Sequence, residues 1–203
     1  MYKNSKIWMP TYALIAANAI VYAFTAFLGG DMFQINDNVL ATYGQYNLAV
    51  SHGEVWRLFS AMFLHADIVH LFGNMFFLLI FGLRAEEMFD VDEYILIYLL
   101  SGLAGGLLTL GLWPPDSLSV GASGAIFGML GATIIYPRRA IGQSIISGLV
   151  YAFFFFFLNM GQNVNYLAHL GGLLVGLLAG YVLALSRKPK QAVTYQYNYS
   201  YSR

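Results

Sequence analysis

Cysteine is absent and charge is scarce. With no cysteine among 203 residues, a disulfide framework, thiol catalysis and thiolate metal sites are all excluded. Charged residues make up 10% of the chain, against about 25% in soluble domains, too few to cover a globular surface. The formal net charge is zero, so no basic face exists for phosphates and nucleic acid is not expected as a partner. No internal repeat is visible, and nothing marks a second folded domain. What remains is apolar: 59% of the residues are hydrophobic, with a mean hydropathy of +0.62. That balance reads as an integral membrane protein.

A spanning helix needs roughly 17–25 mostly apolar residues. Six stretches fit or nearly fit, at residues 8–28, 58–83, 94–113, 120–136, 143–160 and 166–185. The expected fold is all-α, a six-helix membrane bundle with one long outer connection between the first two helices. With six spans, Lys3, Lys6, Arg84, Arg138, Arg139, Arg187, Lys188, Lys190 and Arg203 fall on one side and only Arg57 on the other. The positive-inside rule then makes both termini cytoplasmic, with the cell (inner) membrane as the expected location. The first apolar stretch exceeds the 7–15 residues of a signal core, so a retained anchor is expected. Residues 1–186 form the membrane domain, and 187–203 a polar, Tyr-rich tail expected to be disordered.

Polar residues inside such segments are costly and usually functional. Apart from His52, every histidine falls in an apolar stretch, as do Asn74 and the glycine-flanked Ser123. A small residue in a membrane helix ordinarily serves close packing, and Gly124 and Gly128 form a G-x-x-x-G pair that fits that role. Position adds a second possibility. Pro114 and Pro115 end the third segment, so Ser123 lies near the start of the fourth helix, where free N–H groups and the helix dipole favour an anion. That suits a nucleophile whose attack creates an oxyanion. His169 is followed by Gly172, Gly176 and Gly180 on its own helix face, which would let the fourth helix approach. It reads as a packing group, a proton relay or a general base. His70 and Asn74 share one face of the second helix, where helix–helix hydrogen bonding is the ordinary role. Counting about 1.5 Å per residue from Arg84 and Arg138 puts His70 and Ser123 roughly 21–22 Å from the cytoplasmic end. His169, counted from Arg187, comes out at roughly 27 Å. No acid was seen aligned with the histidines, so neither a metal nor any other cofactor is expected.

The ordered set Trp56-Arg57, His65-x4-His70-x3-Asn74, Gly121-Ala-Ser123-Gly and Ala168-His169-x2-Gly172 resembles the rhomboid family of intramembrane serine proteases, over residues 8–185. The resemblance implies Ser123 as nucleophile and His169 as base, a dyad without a carboxylate. It implies an oxyanion hole from His70, Asn74 and the Ser123 N–H, with Gly121 shaping the loop below it. His65, Arg57 and Glu86 would be structural. Many bacterial members carry a tyrosine one turn after the serine, packed on the histidine; here Phe127 keeps the ring without the hydroxyl. The five phenylalanines at 153–157 would belong to a lateral gate between the second and fifth helices. Implied partners are single-span membrane protein substrates and membrane lipid, with the oligomeric state left open. The rival functions are a catalytically silent, client-binding relative and a small membrane transporter.

Overall fold

The computed structural model describes residues 9–142, 144–158 and 164–187, with side chains of 156–158 excepted. The first long helix, α1 (Pro10–Gly29), opens on proline, whose missing N–H costs nothing at a helix start. It closes on Gly30 in the left-handed region, φ 74°. The connection to the next long helix is folded. It holds α2 (Asp37–Tyr43), β1 (Gln45–Tyr46), α3 (Asn47–Ser51), α4 (Arg57–Ser60) and a 3-10 turn, Ala61–Phe63. Four long helices and one shorter apolar helix complete the bundle: α5 (Ile68–Glu86), α6 (Val91–Leu112), α7 (Ser123–Ala140), α8 (Ile146–Leu158) and α9 (Tyr166–Ser186). Strand β2 (Leu118–Ser119) pairs antiparallel with β1, Gln45 opposite Ser119, and ties the long connection to the turn before α7. Four helices, α1, α5, α6 and α9, are long and apolar enough to cross a membrane. The chain is thus a helical, multi-pass membrane protein.

Two expectations need correction. The second span does not begin at Leu58. Residues 57–67 form α4, the 3-10 turn and a coil, and α5 starts only after Asp67, whose carboxylate accepts a hydrogen bond from the His70 N–H at 2.7 Å. Ala61, Met62 and Leu64 are buried against the bundle, so their apolar character reflects loop packing. His65 accordingly lies outside the spanning helix. The second correction concerns the C-terminus. Arg187, grouped by composition with the tail, is fixed: it donates to the Met88 carbonyl at 2.6 Å, to the Tyr136 hydroxyl at 3.1 Å and to the Glu93 carboxylate. Positions 188–203 lie outside the described residues.

α7 occupies the centre. Every residue from Gly124 to Ile135 is buried, and the main apolar core joins Leu78 of α5, Tyr94 and Tyr98 of α6, and Ala125 and Met129 of α7. Between α7 and α9 the backbones nearly touch. A Cβ on Gly172 would lie 1.9 Å from the Gly124 carbonyl oxygen, one on Gly176 1.9 Å from that of Gly128, and one on Gly180 2.7 Å from that of Ala132. The two helices therefore run parallel, Gly124 meeting both Ala168 and Gly172, and Gly128 both Gly172 and Gly176. Only glycine permits this approach, the membrane-protein packing mode that needs no apolar driving force.

At one end of the bundle lie Arg84, Arg138 and Arg187, at the ends of α5, α7 and α9. There the Thr11 N–H at the start of α1 donates to Glu86 at 2.9 Å, a carboxylate placed at a helix N-terminus. The opposite end carries Arg57, Gly121 and the start of α9.

Candidate active site

A cavity of about 610 Å³ opens at that opposite end, and Ser123, His169, His70, Asn74, Gly121 and Phe127 all line it. Ser123 is the first residue of α7, where backbone N–H groups have no intrahelical acceptor. Gly121 precedes it at φ 127°, a left-handed conformation open to glycine. Its N–H donates to the Ala61 carbonyl at 2.9 Å, which pins the turn. A Cβ there would also meet the His70 ring, 3.0 Å from Nε2, and lie 3.8 Å from Ser123 Oγ. Glycine at 121 thus lets the His70 ring edge and the serine hydroxyl face one small space.

Gly124 of α7 lies between Ala168 and Gly172 of α9, a Cβ on it sitting 3.1 Å from the Ala168 carbonyl oxygen, which sets His169 beside the first turn of α7. His169 is buried, its Nδ1 has no partner among the described residues, and its ring stacks on Phe127 with centroids 4.2 Å apart at 15°. No hydrogen bond joins Ser123 to His169 in this resting geometry; such bonds commonly tighten only when substrate binds. Asn74 is buried and uses one amide hydrogen locally, donating to the His70 carbonyl at 2.9 Å, which leaves its second hydrogen available to the cavity.

The supporting residues fall nearby or far. His65 is fully buried and its ring meets that of His70 edge-on, centroids 5.1 Å apart. Burial pushes its imidazole down to about 3, with the charge of His70 adding and the Phe63 carbonyl opposing. His65 is therefore neutral. Arg57 staples the long connection, donating to the Ala41 and Gly44 carbonyls at 2.7 and 3.0 Å and to Glu54 at 2.7 Å, over the Trp56 ring. Glu86 is at the far end of the bundle. Of the aromatic run, Phe155 packs against Phe77, Phe81 and Phe127, while Phe153 and Phe154 are more than half exposed. The side chains of Phe156 and Phe157 lie outside the described residues.

Three cavity residues escaped the sequence reading. Asp67, an acid three residues before His70, lines the site and caps α5, so the view that no carboxylate accompanies the histidines was wrong. Among the described residues, however, no three metal-ligating side chains cluster. Asn165 caps α9 by accepting from the Ala168 N–H at 3.0 Å, and its amide donates to Thr109 and Ser119, each at 2.9 Å. Both are polar residues just ahead of an apolar run, a readable helix-start signal. Gln45 reaches in from β1, and no local pattern announces it.

The fold and cavity define the class: a multi-pass helical membrane protein presenting a serine at a buried helix N-terminus beside two histidines. The model of the rhomboid domain matches residues 52–186. The chain is 33% identical over 185 residues to YdcA of Bacillus subtilis (strain 168), rhomboid by name, covering 88% of this chain and 89% of that one. It is 40% identical over 142 residues to RHOMBOID-like protein 6, mitochondrial, of Arabidopsis thaliana, covering 67% and 46%. It is 32% identical over 173 residues to Rhomboid-like protease 3 of Toxoplasma gondii, covering 81% and 65%. The chain thus spans about half the length of the plant relative and most of the bacterial one. It belongs to the rhomboid family.

Proposed function

We propose that the protein is an intramembrane serine endopeptidase. The observation that carries this reading is convergence: residues from α5, the turn before α7, α7 and α9 line one cavity at a helix N-terminus. In this reading Ser123 Oγ attacks the scissile carbonyl while His169 takes its proton. The oxyanion that forms is held by the Ser123 N–H, His70 and the second amide hydrogen of Asn74. Collapse expels the amine, which leaves with the proton from His169, and water then hydrolyses the acyl-enzyme by the same route in reverse. Phe127 supports the imidazole by stacking alone.

The five long helices and the shorter α8 are all taken to span the bilayer, with the arginine-bearing end and both termini cytoplasmic in the cell membrane. The site then lies toward the outer face, where water can reach it. Substrates are single-span membrane proteins cut near their outer boundary, preferably where Gly or Pro weakens the helix and frees the bond. Ser123→Ala and His169→Ala should each abolish cleavage of such a substrate in proteoliposomes. The double variant should be hardly worse, since a dyad acts as a unit. Full activity of Ser123→Ala ends the reading.

A further inference from the structure

Gln45 is nearly fully buried, at 2% exposure, yet lines the cavity. Its orientation is fixed by a chain of amides. Asn47 Nδ2 donates to the carbonyls of Thr109 and Pro114 and to Ser117 Oγ. Asn47 Oδ1 must therefore face Gln45, and it accepts from Gln45 Nε2 at 3.0 Å. The same Nε2 donates to the Gly106 carbonyl at 2.9 Å. Both donors of the glutamine are thus spent, and an amide carries two donors and one acceptor oxygen. That oxygen, Oε1, has no protein donor among the described residues. It lies over Gly106, where a Cβ would come within 2.8 Å of it.

The surroundings say what this acceptor is placed to read. Gly102, one turn before Gly106, has Ala125 of α7 beside it, and Ala125 is two residues from Ser123. Ala61 holds Gly121 through its carbonyl, and Gln45 pairs in the ladder with Ser119. The glutamine therefore lines the part of the cavity that adjoins the first turn of α7. Gly106 makes room for the glutamine amide and Leu58, and Gly102 for the Met62 side chain, all of which line the cavity. The oxygen is open to the cavity rather than sealed in protein, so a ligand that fills the cavity without supplying a donor strands it, a cost that a donor group avoids.

We infer that Gln45 determines specificity: its Oε1 accepts a hydrogen bond from the side chain of the substrate residue whose carbonyl Ser123 attacks, favouring a small hydroxyl-bearing residue, serine, over an apolar residue of the same size. The inference rests on the serine-protease reading. A pocket that hydrogen-bonds a hydroxyl discriminates against the analogue that lacks it, because the acceptor is then stranded.

The test uses the full chain in proteoliposomes and single-span substrates that differ only at that residue, serine or 2-aminobutyrate, which match in size. For the native protein kcat/KM should favour serine by about 3- to 10-fold, the range of one neutral hydrogen bond. Gln45→Met should bring the ratio near one. Because the ratio compares two substrates on one preparation, it is unaffected by how much of the variant folds. Equal rates in the native protein overturn the inference, as does an unchanged ratio in Gln45→Met, while leaving the protease reading intact. Failure of the native protein to cut either substrate overturns both.

Discussion

Phe155 is where a single truncation should speed the enzyme up. Its ring meets Phe77 at 5.7 Å and 89°, Phe81 at 5.6 Å and 87°, and Phe127 at 5.7 Å and 56°. Three aromatic pairs at about 0.5–1.5 kcal/mol each hold α8 against α5 and α7 with roughly 2–4 kcal/mol. Plain area burial adds little, because lipid tails would solvate the exposed rings equally well. If substrate enters sideways between α5 and α8, Phe155→Ala removes that holding energy from the closed state alone. At about 1.4 kcal/mol per tenfold, the open fraction could grow by roughly 30- to 1000-fold. Turnover of a membrane-embedded substrate should rise severalfold before chemistry becomes limiting, and the thermal midpoint should fall. Phe153→Ala and Phe154→Ala remove rings that are more than half exposed and meet each other at 5.8 Å, so neither should speed turnover as Phe155→Ala does. The assay is kcat/KM for all three variants in proteoliposomes, beside their melting points. A Phe155→Ala enzyme that melts lower but turns over membrane substrate no faster refutes side entry through this contact. So does an equal gain from Phe153→Ala.

Other expectations follow from the packing and the caps. Gly172→Ala and Gly176→Ala should each destabilise by at least about 1–3 kcal/mol, since the new methyl meets backbone 1.9 Å away that cannot swing aside. Gly111→Ala, with nothing within 4 Å, should be neutral or slightly stabilising in the same melting assay. Asn165→Ala should cost about 1–2 kcal/mol by uncapping α9 and stranding Thr109 and Ser119, measured by unfolding in detergent. His65 gives an acid limb with a defined sign. Its folded pKa of about 3 lies below the ordinary 6.5, so the unfolded chain binds the extra proton between those values. Its contribution is full above pH 6.5 and is lost on acidification, at about 1.4 kcal/mol per pH unit. Unfolding free energy plotted against pH should therefore fall less steeply for His65→Leu than for the native protein below pH 6.5, and parallel limbs would contradict a buried neutral imidazole.

The helices were legible where apolar runs are long and uninterrupted, as in α1, α6 and α9. They were misread where the connection is equally apolar: Leu58, Ala61, Met62 and Leu64 read as part of one spanning helix but lie in a short helix, a 3-10 turn and coil against the bundle, and only the Asp67 cap marks the true start of α5. The glycine stripe after His169 correctly foretold a close helix neighbour, because Cβ-free faces have few other uses in a membrane. The register that brings His169 beside the first turn of α7 could not be counted from charged ends, since Arg138 and Arg187 are not at one height. Two-residue strands carry no periodicity, so the β1–β2 ladder that carries Gln45 to the cavity left no trace in the sequence. Phe155 could not be told from its four neighbours, because five identical residues have no pattern to read.

The most direct measurement is mass spectrometric mapping of the protein after exposure to a fluorophosphonate or isocoumarin in detergent. The adduct should sit on Ser123 and disappear in His169→Ala, because an unassisted serine hydroxyl at neutral pH is a weak nucleophile. A folded native protein that takes no label, or a label on another residue that persists in Ser123→Ala, would contradict the account.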